Sequence, residues 1–221
     1  MTTTTIAKGD ALYPVGLLAL GDDAPETLYV NGNADLLGKL NQSITITGAR
    51  ASTGYGEHVT MDLVTGLLGR MPDVVVANGG AYGIDGMALR AALAESAQTL
   101  VWLAGGVERH YPSGHDTLFS RVLSSGGVTI SAEEPGSSPT KWRFLQRNKY
   151  LAAATSATLV VEAGWRSGSL GTAYQSHALG KSTMAVPGPV TSASSAGCHR
   201  LFQEGIADVV TKSSDILLTC G

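Results

Sequence analysis

The stretch from Val74 to Arg90 restricts the possible fold more than any other part of this sequence. It opens with consecutive valines, and a β-branched apolar run without alternation is typical of a strand buried on both faces of a parallel sheet. Gly79, Gly80 and Gly83 follow, and a helix with apolar residues at three- and four-residue spacing begins directly after them. A strand, a glycine turn and a helix in this order predict a parallel sheet, and unpaired amides at the helix start form an anion site.

The same sequence of strand, glycine loop and helix recurs along the chain. Strands are predicted at residues 44–49, 74–76, 99–104, 128–131, 158–161 and 183–186, with helices of about 10 to 15 residues between them. This alternation predicts an α/β fold with a mostly parallel sheet and helices on both faces. Ligands of such sheets bind beyond the carboxyl ends of the strands, where the loop glycines fall. Residues 1–43 are interpreted as a lead-in packed on the main domain, which covers residues 44–221.

Composition and charge exclude several classes of protein. Hydrophobic residues make up 43% of the 221 residues, which is enough for a folded core. The formal net charge of −3 provides no general positive field, so phosphate binding requires local groups. The cysteines, Cys198 and Cys220, suggest neither a disulfide framework nor a metal site. Because there is no secretion signal and no apolar run long enough to cross a membrane, the expected location is the cytoplasm and no membrane partner is expected.

Motifs for catalysis and for cofactor binding are incomplete. A dinucleotide motif begins at Gly54 and Gly56 but has Val59 in place of its third glycine, and a P-loop would need a glycine where Gln175 stands. A nucleophile elbow of the G-x-S-x-G type is absent, and the histidines are scattered without the spacing of a metal-binding pair. The sequence therefore predicts no catalytic residue, no metal and no cofactor, which is the pattern of a binding protein and not of an enzyme.

The helix predicted after Pro139 is richer in basic residues than the rest of the chain. Arg143, Arg147 and Lys149 alternate with aromatic residues, and Arg143 and Arg147 share a helix face. Basic groups beside aromatic rings suit a sugar-phosphate chain or a nucleobase, through ion contacts and stacking. The alternative is a solvated basic face over buried aromatic side chains, and the sequence leaves both interpretations open.

Two of the glycine loops carry further candidates. Arg50 lies in the loop after the strand at residues 44–49, and Arg166 lies in the loop after the strand at residues 158–161. Ser167, Ser169 and Thr172 stand at the start of the next helix, where hydroxyls and amides can bind an anion, although capping alone would account for one of them.

Motifs along almost the whole sequence resemble the DNA-processing protein A family, also called DprA or Smf. The matching segments are Tyr13-Pro14, Gly48-Ala49-Arg50, Gly79 to Asp85, Tyr111-Pro112, Arg147-Asn148-Lys149, Glu162-Ala163, Ser167 to Leu170, Thr172-Ala173, Ala185 to Gly188 and Gly197-Cys198. The resemblance implies an extended Rossmann-like domain of the nucleotide-binding SLOG group. It also implies a non-catalytic protein that binds single-stranded DNA, forms a homodimer or higher homo-oligomer, and helps to load a RecA-type recombinase.

By position, the resemblance implies that Arg50 and the segment around Arg147 hold phosphates, and that the loop from Gly79 to Gly83 lines the groove. Together with the residues singled out above, this gives one set of candidate phosphate- or nucleotide-binding residues. They are Gly48, Arg50, Gly79, Gly80, Tyr82, Gly83, Arg143, Arg147, Asn148, Lys149, Arg166, Ser167, Gly168, Ser169 and Thr172.

The sequence also departs from the family pattern. Tyr82, Leu89 and His199 stand where the family usually has Arg, His and Asn, and the winged-helix module that often follows this domain is expected to be absent. Loss of a positive charge from the central loop weakens the case for DNA, because DNA affinity increases with the number of phosphates neutralised. The second hypothesis is therefore a small signalling nucleotide, such as a cyclic nucleotide or an ADP-ribose derivative, with Tyr82 stacked on its base.

Overall fold

The computed structural model describes residues 3–218, which form a mixed sheet covered by helices. Its nine strands in this range lie in the order β1-β2-β6-β5-β4-β3-β7-β8-β9. Strands β3 to β9 run parallel, whereas β2 is antiparallel to both β1 and β6. The strands are β1 Thr4–Ala7, β2 Thr27–Gly32, β3 Ser43–Thr47, β4 Val75–Asn78, β5 Thr99–Trp102, β6 Val128–Ser131, β7 Ala157–Val160, β8 Ser182–Ala185 and β9 Asp208–Val209. The predicted α/β fold is confirmed.

Helices connect the parallel strands and cover both faces of the sheet. They are α1 Gly54–Arg70, α2 Ile84–Ala94, α3 Asp116–Ser124, α4 Lys141–Ala154, α5 Ser169–Ala178 and α6 Ala196–Gln203. Short 3-10 segments occur at Val15–Asp23, Ala34–Gln42, Ser113–His115 and Ser213–Asp215. Within residues 3–218, no helix combines the length and the apolar character that crossing a bilayer requires.

The valine run that begins at Val74 is buried on both faces of the sheet, as its sequence predicted. Val74 and Val76 belong to the core that β3, α1 and α2 share on one face. Val75 belongs to the core on the other face, which includes Trp102 and residues of α4. Alternate side chains of one strand therefore serve two cores, which is why the run shows no polar alternation.

The first residues of the chain extend the sheet beyond its parallel part. Strand β2 pairs with β6, with Val30 opposite Ile130, and β1 forms the outer edge. The division of the chain at residues 43 and 44 stays a prediction. Cys198 is buried, and burial raises the pKa of its thiol to about 12, whereas Cys220 lies outside the described residues.

The order of the strands fixes the position of a crevice. The chain adds β4, β5 and β6 successively on one side of β3 and then crosses to place β7 on its other side. The loops after β3 and β7 consequently leave the sheet toward different layers. A crevice at the carboxyl ends of these two strands is the general ligand position in sheets of this kind.

Candidate functional site

A cleft of about 760 Å³ lies at the crevice between β3 and β7. Its walls are the loops after these two strands, and the first turns of α4 form one side. The structure brings together eight of the candidate residues here. They are Gly48, Arg50, Arg147, Asn148, Arg166, Ser167, Gly168 and Ser169.

Arg147 forms the floor of the cleft. The residue is only 6% exposed, its Nη1 donates to the Trp102 carbonyl oxygen at 3.1 Å, and its Nε donates to Oδ1 of Asn148 at 2.9 Å. Burial lowers the pKa of Arg147 to about 10, and the nearby Asp85 carboxylate opposes this shift. The guanidinium is therefore charged at neutral pH. Gly79 lies directly against it, since a Cβ at this position would stand 1.3 Å from Nη1.

The amides of the loop after β4 are already paired with a carboxylate of the protein. Asp85, in the first turn of α2, accepts from the amides of Gly79 at 3.1 Å and Ala81 at 3.2 Å, and from Thr47 Oγ1 at 2.8 Å. The amide of Gly80 donates to Oδ1 of Asn78 at 2.9 Å. The expectation of unpaired amides is therefore wrong for Gly79 and Ala81, where Asp85 supplies the anion, and for Ile84 at the helix start, whose amide donates to the Ala49 carbonyl oxygen at 3.2 Å.

The remaining candidates of this loop have other surroundings. Gly80 has a φ of 66° and lies against Phe119, and Gly83 has a φ of 73° and lies against the Ala49 carbonyl oxygen. Both positions favour glycine because larger residues rarely adopt this conformation. Tyr82 is 47% exposed, and its ring meets the His115 ring edge to face at 4.8 Å.

The loop after β7 differs in that its amides at the helix start remain available. The amides of Gly168 and Ser169 donate to no acceptor among residues 3–218. The Oγ atoms of Ser167 and Ser169 are 2.7 Å apart, and Asn148 Nδ2 donates to the Gly168 carbonyl oxygen at 3.1 Å, which ties α4 to this loop. Thr172 is buried in α5 and does not line the cleft.

The basic side chains divide into paired and unpaired groups. Arg50, Lys141 and Arg166 line the cleft and form no ion pair within the described part of the chain. Arg143, by contrast, contacts Glu133 at 2.6 Å, and Lys149 pairs with Asp23. The structure therefore places these two candidates in ion pairs with acidic side chains.

The ring of Phe144 contacts two of the cationic groups. The Cζ atom of Arg50 is 5.1 Å from the centroid of the Phe144 ring, and that of Arg147 is 5.7 Å from it. Tyr111 contacts the same ring, with centroids 5.5 Å apart. Sequence reasoning left Phe144, Tyr111 and Lys141 out of the candidate set. Their only signal was the alternation of basic and aromatic residues in α4 and the Tyr-Pro pair, neither of which shows the direction of a side chain.

A doubly wound sheet with a cation-lined cleft at its switch point defines a Rossmann-like domain suited to phosphate groups. Within residues 3–218, no group of three or more metal-binding side chains comes together. The chain belongs to the DNA recombination-mediator protein A family, whose model matches residues 4–221. The resemblance noted in the sequence is thereby confirmed.

Curated relatives and solved structures agree with this assignment. The putative DNA processing protein DprA of Mycobacterium tuberculosis H37Rv is 47% identical over 194 residues, or 88% of this chain and 49% of the relative. The chain thus spans about half the length of the mycobacterial relatives that it matches. The X-ray structure of DNA processing protein A from Streptococcus pneumoniae superposes with a TM-score of 0.88 at 32% identity, covering 97% of this chain and 73% of that one.

The DNA processing protein A from Helicobacter pylori, whose structure was described for its unique single-stranded DNA binding mode, also superposes on the chain. The TM-score is 0.85 at 24% identity, and the match covers 97% of this chain and 94% of that one. At this identity the likeness shows the fold alone.

Proposed function

We propose that the cleft binds single-stranded DNA and that the chain acts as a recombination mediator of its family without catalysing a reaction. The observation that carries this proposal is that the cations without ion-pair partners, Arg50, Lys141 and Arg166, line the same cleft as the Phe144 ring, which Arg50 contacts. Cations that have no carboxylate partner keep their charge available for phosphates. An aromatic ring among them offers a stacking surface for any base, whatever its identity.

The parts of the cleft suit different parts of a nucleic-acid strand. Phosphates would be bound by Arg50 and Arg166 and by the open amides of Gly168 and Ser169 at the start of α5. A base would stack on Phe144, one side of which the guanidinium of Arg147 holds in place. Because Arg147 is bonded to the Trp102 carbonyl oxygen, this floor is fixed before the ligand arrives.

The hydrogen bonds of the buried carboxylates agree with a binding role. Asp85 is the one carboxylate among residues 3–218 that lines the cleft, and both of its oxygens accept hydrogen bonds from the protein. Glu162, beneath the neighbouring loop, accepts from the Thr53 amide at 2.9 Å and from Thr53 Oγ1 at 2.7 Å. Carboxylates committed in this way hold loops together and are poorly placed to transfer protons.

The family is described as a DNA recombination mediator, and the cations without ion-pair partners are distributed along the lining of the cleft. Both observations favour a nucleic-acid polymer over a small signalling nucleotide as the ligand. From the family to which the chain belongs, we further propose its oligomeric state, partner and location. It would act as a homodimer and load a RecA-type recombinase in the cytoplasm. Residues 44–221 would form the binding unit, with residues 1–43 packed on it as a lead-in.

The test is fluorescence anisotropy with labelled oligo(dT) across a range of salt concentrations. Arg50→Ala should weaken binding about tenfold at low salt, because it removes one phosphate contact and one partner of the Phe144 ring. Arg143→Ala is the matched control, since Arg143 is already paired with Glu133, and it should leave the affinity within about twofold. Tight, salt-insensitive binding of a cyclic nucleotide, with no affinity for oligo(dT), would contradict the proposal.

A further inference from the structure

Trp165 stands on the loop after β7 with 57% of its surface exposed. The residues on either side of it, Gly164 and Arg166, line the cleft, but Trp165 itself does not. Its ring therefore lies outside the cleft, close to the wall to which Gly164 and Arg166 contribute.

The indole ring is held in place by a network of side chains on α5 and α6. The Cζ atom of Arg200 lies 5.1 Å from the Trp165 ring centroid and 5.7 Å from that of Tyr174. Arg200 Nε donates to Glu204 Oε1 at 2.7 Å, and the Tyr174 hydroxyl donates to Glu204 Oε2 at 2.6 Å. The guanidinium is thus fixed between two rings and covers one face of the indole.

We propose that Trp165 is a second stacking platform, which binds a base of the same strand next to the nucleotide that occupies the cleft. This inference rests on the proposed function and extends it by one position along the strand. Because Arg200 covers one indole face, the exposed surface belongs to the other face and the rim. A ring already fixed by its neighbours loses little conformational freedom when a base stacks on it.

The surroundings of Trp165 favour a base over a protein partner. A protein-binding surface usually offers a contiguous apolar patch, whereas Trp165 is followed in the chain by Arg166 and Ser167, and the guanidinium of Arg200 covers its ring. Arg166 follows Trp165 in the chain, lines the cleft and has no ion-pair partner among residues 3–218, so it would bind the phosphate between the two stacked bases.

The experiment combines Trp165→Ala with a set of oligo(dT) strands in which one base at a time is removed to leave an abasic site. For the unsubstituted chain, loss of the base above Trp165 should weaken binding about tenfold, within the range of base–aromatic stacking. Trp165→Ala should weaken binding of intact oligo(dT) by a similar factor and abolish the penalty at that one abasic position. Trp165→Phe should restore most of both effects.

Trp142→Ala is the matched control, because it also removes an exposed tryptophan but from α4. Whatever its own effect on affinity, it should leave the penalty at the Trp165-dependent abasic position intact.

If the unsubstituted chain binds oligo(dT) and Trp165→Ala changes neither affinity nor the abasic profile, this inference fails while the proposed function stands. If Trp165→Ala instead dissociates an oligomer in sedimentation experiments without changing the abasic profile, the ring belongs to a contact between copies and the inference is overturned. Failure of the unsubstituted chain to bind oligo(dT) would overturn the proposed function as well.

Discussion

The loop after β4 and the loop after β7 share one sequence pattern, a buried strand followed by glycines and a helix, yet their amides have different partners. In the first loop, the amides of Gly79 and Ala81 donate to Asp85. In the second, the amides of Gly168 and Ser169 have no acceptor within residues 3–218. The first loop therefore forms part of the structural floor beneath Arg147, and the second is open to an anion from solution.

The difference between the loops comes from one side chain in the first turn of the following helix. Asp85 places a carboxylate where the helix dipole and the loop amides both favour negative charge. The first turn of α5 has no acidic residue, and its hydroxyls at Ser167 and Ser169 bond to each other. A glycine loop before a helix is thus an available anion site only where no internal carboxylate fills it.

The largest effect is expected from removing the internal anion. Asp85→Ala should lower the free energy of unfolding by about 4 kcal/mol, because it leaves three donors unpaired and removes the carboxylate that favours the charged form of Arg147. For a chain of this size the loss corresponds to a fall in melting temperature of roughly 8 to 16 °C. Calorimetry measures it directly.

The control for Asp85 is another acidic residue in the first turn of a helix. Asp116, at the start of α3, is exposed and its contact with His110 is 3.6 Å long, so Asp116→Ala should cost less than about 1 kcal/mol. Equal costs for the two substitutions would show that Asp85 contributes only a helix-dipole effect and that the loop after β4 is not held by its carboxylate.

A pair of glycine substitutions sharpens the comparison. Gly79→Ala should destabilise the fold by about 3 kcal/mol, because its Cβ would collide with the buried Arg147 guanidinium and force it from the Trp102 carbonyl oxygen. Gly168 has a φ of −64°, and a Cβ there would meet no atom within 4 Å. Gly168→Ala should therefore change stability by less than about 0.5 kcal/mol in urea unfolding. A Gly79→Ala variant as stable as the parent would show that the Arg147 floor is not fixed.

Much of the fold could be predicted from the sequence because local patterns agree with the tertiary structure. The sequence predicts a helix at about residues 116–124 and a strand at residues 128–131, and these are the observed bounds of α3 and β6. It predicts that α1 begins at about Glu57, whereas the helix begins at Gly54 because Thr53 caps it. Strand β1 was not predicted. It is short, mostly exposed and specified by its pairing with β2, so its own residues carry little pattern.

The site could be predicted less fully, because partners that decide its electrostatics are distant in sequence. The structure places Arg50 and Arg147, which are far apart in the sequence, in the same cleft, and their role as phosphate-binding residues stays a prediction. The sequence placed Lys149 in the candidate set but could not show its ion pair, since its partner Asp23 is 126 residues away and belongs to the first part of the chain. A periodic pattern shows which helix face a residue shares, but it does not show which carboxylate the folded chain brings to that face.

A smaller effect, on affinity and not on stability, is expected from Arg166→Gln. Loss of one unpaired cation from the open loop should weaken oligo(dT) binding about fivefold and reduce the slope of log affinity against log salt by about 0.7. Lys149→Gln is the control, because Lys149 is paired with Asp23, and it should leave the slope unchanged. A slope that changes equally in both variants would mean that only net charge matters and that the open loop makes no local phosphate contact.

The smallest effect is expected from Ser167→Ala, which separates the amides of the open loop from its hydroxyls. Because the Oγ atoms of Ser167 and Ser169 bond to each other, only one of their two hydrogens is free for a ligand. Removing one hydroxyl leaves the other hydroxyl and both amides in place, so the affinity for oligo(dT) should fall only about twofold. Ser120→Ala, on the exposed face of α3, is the control and should have no effect. A loss of affinity of more than about tenfold would mean that the hydroxyls, and not the main-chain amides, hold the anion. The loops after β4 and β7 would then differ in their side chains and not in the availability of their amides.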